Sequence, residues 1–401
     1  MRIAIISQEF PPETSSGGIG TQASQKAHWL AARGHEVHVI SHSLDGDRHE
    51  YQQGTVHVIR IPGFDKLLPI VADEVRWLTY SMCVAAELAQ LHTKADLDLA
   101  EFPEWGCEAY VHLLNRSASN RIPTAIHLHG PIVMFAHAIG WPDPNSEFFR
   151  VARAMEETCL RLADAVFSSS RCSAEWCARH YKLDAASIPV LHTGVDTSLF
   201  RPMPVKKEER PTITFVGRIE RNKGVGLLVE AGWRLAKKCP DLQIRLIGAG
   251  NRNVVGELLQ KAISAGYPKL IDLPGQVARE QLTDFLSRTH VFAAPSEYEG
   301  GPGFVYLEAM ACGLPVVACD GSGASEVMEN GATGFLVPPR DLNALHDVLD
   351  RLLCDEALRT VMGRRARDYV EREANSDDCL RRLEAFYCEV AQRCQRSPAY
   401  A

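Results

Sequence analysis

One rhythm runs through almost the whole chain: an apolar run of five or six residues, then a longer stretch with apolar residues three and four apart. In the first half, runs that predict strands lie at 2–7, 37–41, 56–61, 97–101, 123–128, 165–169 and 187–192. In the second half they lie at 212–216, 242–247, 269–273, 290–294 and 315–319. Helical spacing falls at 19–33, 74–92, 105–115, 146–162 and 224–238; in the last, Val225, Leu228, Val229, Gly232, Leu235 and Ala236 share one face. Buried strands that alternate with amphipathic helices predict an α/β chain built on parallel, doubly wound sheets. At Phe200–Pro211, three prolines and a charge run interrupt the rhythm and read as a linker. The expected division is therefore 1–200 and 201–375, with a last amphipathic helix at 376–395.

The bulk composition narrows the partners. At 401 residues, with 46% hydrophobic and 23% charged content, the chain has the make-up of a soluble two-domain or three-domain protein. Residues 1–200 hold 16 basic and 23 acidic side chains, so the whole net charge of −7 sits there. That balance argues against nucleic acid and against a polybasic hold on anionic lipid. The 12 cysteines form no CxxC pair, and no apolar run reaches the roughly 18 residues of a membrane span. The opening Met1-Arg-Ile-Ala-Ile-Ile-Ser7 reads as a buried strand rather than a signal peptide. A reducing cytoplasm is the expected setting. The apolar segment 66–80 leaves contact with the inner membrane open.

Two turns carry the chemistry. Gly217-Arg218-x4-Lys223-Gly224 places two cations around a strand-to-helix turn, where free N–H groups and the helix dipole favour phosphate. Such a pair suits a diphosphate and the charge it develops on leaving. Surface cations beside Glu220 are the plainer alternative. In the second turn, Glu299 and Glu308 bracket Gly300, Gly301, Pro302 and Gly303, just before Phe304. Glycines let backbone amides approach a ligand closely. Glu308 falls inside an apolar helix beside Ala309 and Ala311, where a carboxylate needs a partner, and a ribose diol would serve. Glu299 at the turn suits sugar hydroxyls, or simply complements the helix dipole. The acidic and basic pieces together predict a nucleotide-sugar site.

Other features are weaker. Gly18-Ile-Gly20-Thr-Gln-Ala23 matches a dinucleotide string but lies too far from its strand, and reads better as a flap over a ligand. His127 and His129 share a face at a strand end; His127 is expected to be a satisfied core residue, and His129, next to the turn, a ligand contact. Neither has a convincing partner for zinc. Glu101, Glu104 and Trp105, which follow a strand, are candidates for an acceptor pocket.

These motifs, with Phe10-Pro-Pro-Glu13, Arg33-Gly34-His35-Glu36-Val37-His38-Val39, Gly194-Val195-Asp196, Gly248-x-Gly250, Gly275-x-Val277 and Glu308-Ala-Met-Ala-Cys-Gly-x-Pro315, resemble the retaining GT-B glycosyltransferases of the large fourth family, also called glycosyl transferase group 1. The resemblance covers nearly the whole chain. It implies two Rossmann-like domains that face a cleft, with the final helix returning to the first. It places the donor on the second domain and the acceptor on the first. By resemblance, Arg218 and Lys223 match the diphosphate cations, Glu299 the carboxylate near the transferred sugar and Glu308 the ribose carboxylate. His129 matches the histidine near the reacting sugar. Gly18 and Gly20 match the mobile glycine loop, and Gly250, Val277, Gly301, Gly303 and Phe304 complete the donor set. One departure stands out: eight residues, not the usual seven, separate Glu299 from Glu308.

The reading that follows is a retaining hexosyltransferase that uses a nucleoside-diphosphate sugar, with no metal and no other cofactor. The acceptor is unassigned, with a soluble small molecule or glycan favoured over a lipid. A nucleotide-sugar 2-epimerase or hydrolase, and a sugar-nucleotide-binding subunit without activity, are the alternatives.

Overall fold

The computed structural model describes residues 1–14, 18–63, 70, 72–117 and 120–396. Two compact units form, Gly194–Asp378 and Met1–Thr193 with the chain from Cys379 onward.

The first unit is built on seven strands: β1 (Arg2–Ile6), β2 (Glu36–His42), β3 (His49–Gln53), β4 (Val56–Ile61), β5 (Leu99–Pro103), β6 (Thr124–Leu128) and β7 (Ala165–Ser168). Their order is β3-β4-β2-β1-β5-β6-β7, parallel except for the edge pair β3–β4. Successive side chains of β1 go to opposite faces, as a strand requires. Ile3 and Ile5 join the core under helices Gly18–Ala32 and Ser376–Gln395, and Ala4 and Ile6 join the core under helices Asp73–Ala95 and Glu147–Leu162. Both faces are thus covered, which explains the unbroken apolar runs.

The second unit holds β8 (Thr212–Val216), β9 (Gln243–Ile247), β10 (Ile271–Gly275), β11 (Val291–Ala294), β12 (Val316–Cys319) and β13 (Gly334–Val337). They pair in parallel in the order β10-β9-β8-β11-β12-β13. Helices Val225–Ala236, Phe304–Ala311, Leu342–Cys354 and Glu356–Glu373 bury their apolar faces against this sheet.

Several expectations need correction. The boundary lies at Thr193–Gly194, ahead of the proline-rich stretch. Phe200 is fully buried in the second core, and Val195 bridges to Asn375, so the six residues before the stretch are already committed to the second unit. Residues 187–192 make no strand; only Val190 bridges, to Ser168. Strand β3 escapes the apolar pattern because His-Glu-Tyr-Gln-Gln is a polar, exposed edge, and β13 because it is a short edge strand that opens on Gly334. Gly18 and Gly20 lie in the first turn of helix Gly18–Ala32 rather than in a flap. A Cβ on Gly20 would meet Glu9 at 2.9 Å, so close packing requires that glycine. The rest of the flap, residues 15–17, and residues 66–69 and 71 of segment 66–80 lie outside the described residues.

Candidate active site

On the second unit, the candidate residues stand at the carboxyl ends of β8, β9, β10 and β11, the edge where parallel sheets bind ligands. Close backbone approaches shape this edge. Gly224, with φ of +70°, starts helix Val225–Ala236, and a Cβ there would lie 1.9 Å from the Pro295 carbonyl oxygen. A Cβ on Gly248 would lie 2.1 Å from the Gly217 carbonyl oxygen. Gly250 bridges to Ile219 and packs on Val255, and Val277 rests half-buried against the core.

That crowding brings the two motifs together. Lys223 Nζ donates to Glu299 Oε1 at 2.8 Å, with both side chains about one-fifth exposed, 19% and 18%. Arg218 is more open, at 54%, and pairs with Glu220 at 3.2 Å. The Glu299 carbonyl oxygen accepts from Gly323 N–H at 2.9 Å. A Cβ on Gly323 would lie 2.3 Å from the Gly301 carbonyl oxygen, so the longer turn is pinned by the segment after β12. Gly303, with φ of +67°, opens helix Phe304–Ala311, and the Tyr306 hydroxyl donates to the Ala294 carbonyl at 2.7 Å.

Glu308 is 3% exposed and has a partner of its own chain: the Arg279 guanidinium, at 2.7 Å. Burial pushes its carboxyl up, and Arg279 opposes the shift. Arg279 itself stands over the rings of Phe200, at 5.0 Å, and Phe304, at 5.9 Å. Sequence reasoning missed Arg279. The available signal was its position, two residues after Val277 and first in helix Arg279–Arg288.

In the first unit, His129 follows β6 on a turn that two buried carboxylates hold. The His129 N–H donates to both Glu104 oxygens at 2.8 Å, and the Gly130 N–H also donates to Glu104. Two residues on, the Ile132 N–H donates to Glu156 at 3.0 Å, and the Tyr181 hydroxyl to the same carboxylate at 2.6 Å. Burial raises Glu104 to about 7, against the pull of those N–H groups. Burial and the nearby Glu104 charge raise Glu156 to about 8. The His129 ring lies 4.0 Å from that of His127, and its buried Nδ1 has no hydrogen-bond partner among the described residues. Burial, with His127 and Lys26 nearby, holds its imidazole well below the usual histidine range. His127 is the satisfied core residue expected: Nε2 meets Ser169 Oγ at 2.7 Å and Nδ1 meets Lys26 Nζ at 3.1 Å.

Two acceptor candidates lie buried inside the first unit. Glu101 is 2% exposed and locked between buried Lys26 and the Tyr387 hydroxyl, so its charge is spent inside the core. Glu104 is fully buried and serves the histidine turn. Trp105 is half-buried, in an aromatic group with Trp77, Phe135 and Trp141 at ring distances of 5.5, 5.2 and 6.0 Å.

Comparison with known proteins shows the family and the fold. The model for Glycosyltransferase Family 4 matches residues 16–199, and that for Glycosyl transferases group 1 matches residues 196–369. The chain belongs to the group 1 glycosyltransferases and has the GT-B fold. It is 28% identical to the alpha-maltose-1-phosphate synthase of Mycolicibacterium smegmatis over 84% of each chain. The structure of sucrose-phosphate synthase from Thermosynechococcus elongatus superposes with a TM-score of 0.84 at 23% identity, over 98% of this chain and 99% of that one. Anabaena Alr3699/HepE in complex with UDP-glucose gives 0.73 at 20% identity, over 97% and 100%.

Proposed function

We propose that this glycosyltransferase moves a hexose from a nucleoside-diphosphate sugar to an acceptor hydroxyl, with retention at the anomeric carbon and without a metal. The observation that carries the reading is the Lys223–Glu299 contact, which sets a cation and a sugar-binding carboxylate side by side at one strand edge, with Arg218 on the same turn.

Lys223 and Arg218 bind the diphosphate oxygens and stabilise the charge that grows as the bond from the anomeric carbon to the leaving oxygen breaks. They supply the positive charge that a divalent ion otherwise brings. Glu299 accepts from the sugar hydroxyls, and Glu308, oriented by Arg279, accepts from the ribose diol. The amides of the Gly301–Gly303 turn and Phe304, with Gly250 and Val277, complete the donor site. The acceptor oxygen attacks on the face the diphosphate leaves, and the departing phosphate oxygen takes the acceptor proton. His129 is assigned a contact with the reacting sugar. Among the described residues, no helix is long and apolar enough to cross a membrane. A cytoplasmic enzyme that acts on a soluble acceptor is the reading adopted here. The UDP-glucose held by the Anabaena protein makes UDP the first donor to try.

Thermal unfolding against UDP, GDP, ADP and dTDP sugars tests the donor. Saturation at a hundred times the dissociation constant is worth ~2.7 kcal/mol, or a rise of roughly 5–10 °C. The expected result is a rise with one nucleotide family that Glu308→Ala removes. No rise with any of the four refutes the reading. The anomer of the product reads retention, and unchanged turnover in excess chelator reads metal independence.

A further inference from the structure

The second unit carries a cavity at the edge of its sheet away from the candidate donor turns. It measures ≈ 540 Å³. In its lining, His290 and Pro315 stand one residue before β11 and β12, and Lys207 stands ahead of β8. The cavity therefore lies at the amino ends of those strands, whereas Arg218 and Lys223 follow the carboxyl end of β8.

The charge of the lining is one-sided. Lys207, Arg359, Arg364 and Arg367 face a single carboxylate, Glu356. Arg367 is paired with Glu371, at 2.6 Å. The other three cations have no carboxylate partner among the described residues. Lys207 Nζ donates to the Thr289 carbonyl at 2.6 Å, and Arg359 Nη1 to the Leu352 and Leu353 carbonyls at 2.7 and 2.8 Å. A carbonyl satisfies a donor without neutralising its charge. Arg364 is exposed, with no hydrogen bond or ion pair among the described residues. The nearest acidic residues in sequence are engaged elsewhere: Glu208 pairs with Arg245 at 2.9 Å, and Glu209 with Lys206 at 3.3 Å. His290 feels the field. Its Nδ1 accepts the Thr212 N–H at 3.1 Å, and burial, then the Arg359 and Lys207 charges, bring its imidazole down to about 4. Like charges gathered without a counter-ion repel one another, and a bound anion relieves them.

Part of this arrangement serves the fold. Arg359 and Arg367 answer the last carbonyls of helices Leu342–Cys354 and Phe304–Ala311. Arg364 has no such duty, and the cavity beside it is open.

We infer that this cavity binds a small phosphomonoester. A phosphate group brings up to about two negative charges and three acceptor oxygens, which suits three unpaired cations set against one carboxylate. A carboxylic acid brings one charge and leaves the excess standing. The carbon skeleton rests on the apolar lining, which includes Val205 and Leu314. A phospholipid headgroup carries the same chemistry. Met203, 38% exposed, is the one large apolar side chain of the lining that reaches solvent so far, too little to enter a bilayer. The inference stands apart from the transferase reading.

The test is calorimetric titration of the full chain with glycerol 3-phosphate and with acetate at constant ionic strength, beside co-sedimentation with vesicles that contain phosphatidic acid. The expected result is saturable binding of glycerol 3-phosphate at one site and no saturable binding of acetate. Lys207→Ala and Arg364→Ala each weaken it about tenfold or more. Arg364→Ala removes an exposed, unpartnered side chain, so that variant keeps the parent's unfolding temperature. Arg218→Ala combined with Lys223→Ala, at the donor turn, leaves the affinity as it was. In the ring-proton NMR spectrum, His290 titrates at a higher pH once the anion is bound. Absence of saturable binding, acetate binding as well as glycerol 3-phosphate, or binding to the vesicles alone overturns the assignment. So does an affinity that survives both Lys207→Ala and Arg364→Ala but is lost with the donor-turn pair, since the phosphate then sits at the other edge of the sheet.

Discussion

The two units fix their functional turns by opposite means. In the first, the His129 turn is held by titratable carboxyl groups: Glu104 and Glu156, both nearly inaccessible to water, collect three backbone N–H groups from a four-residue span. In the second, the turns after β8, β9 and β12 are held by the absence of side chains, with Gly224, Gly248 and Gly323 each letting a carbonyl approach where a methyl group would collide. Charge makes a turn that answers to pH. Steric closeness makes one that does not answer to pH and tolerates no substitution.

The sharpest way to break this contrast is at Gly224. Gly224→Ala puts a carbon into the Pro295 carbonyl at a backbone angle that alanine resists, for a cost of roughly 3–5 kcal/mol. Calorimetry should show the second unit unfolding far earlier at every pH. A variant as stable as the parent would mean that the β8 turn is looser than drawn. Next, Lys223→Ala should cut kcat by about 10²–10³-fold with little change in stability. Arg218→Ala should cost less, because its side chain is more exposed and already engaged by Glu220. Equal losses would say that the two cations act as one.

Glu104→Gln probes the other half. Glutamine keeps one acceptor but turns an N–H₂ toward the remaining N–H, so kcat should fall by about tenfold. The parent's rate should climb through pH 7 as Glu104 loses its proton, and that limb should vanish in the variant. The smallest effect is on stability. The folded-state values of Glu104 and Glu156, about 7 and about 8, lie above their ordinary 4.5. Their contribution is therefore full below 4.5 and lost as pH rises through 7 to 8. The unfolding temperature should decline over that window, and Glu156→Gln should flatten the decline. An unchanged slope would remove charge as the means of holding the first turn.

The sequence read the second unit better than the first. Strand Thr212–Val216, the cationic turn and the two glutamates all lie where periodicity and turn chemistry put them, because each is local. What escaped was pairing at a distance. Glu308 plainly needed a partner, but only the packing of helix Arg279–Arg288 reveals which one. Glu101 and Glu104 look alike in Glu-Phe-Pro-Glu. Yet Glu101, inside β5, meets Lys26 and Tyr387 from remote helices, and Glu104 lies one residue past it against the next strand's turn. No short-range rule separates them.

Helix Ser376–Gln395 has a consequence for how the molecule is made. Leu380, Leu383, Tyr387 and Val390 complete the core that begins with Ile3 and Ile5, and Tyr387 reaches buried Glu101. On the ribosome, where domains otherwise fold in order of synthesis, this chain must wait. The half translated first leaves the exit tunnel with one flank of its sheet covered by helix Gly18–Ala32 alone and with Glu101 paired to Lys26 but not to Tyr387, while the half translated second can finish before it. Assembly therefore closes backwards, and a message truncated shortly before helix Ser376–Gln395 would yield a sound second unit joined to an unfinished first.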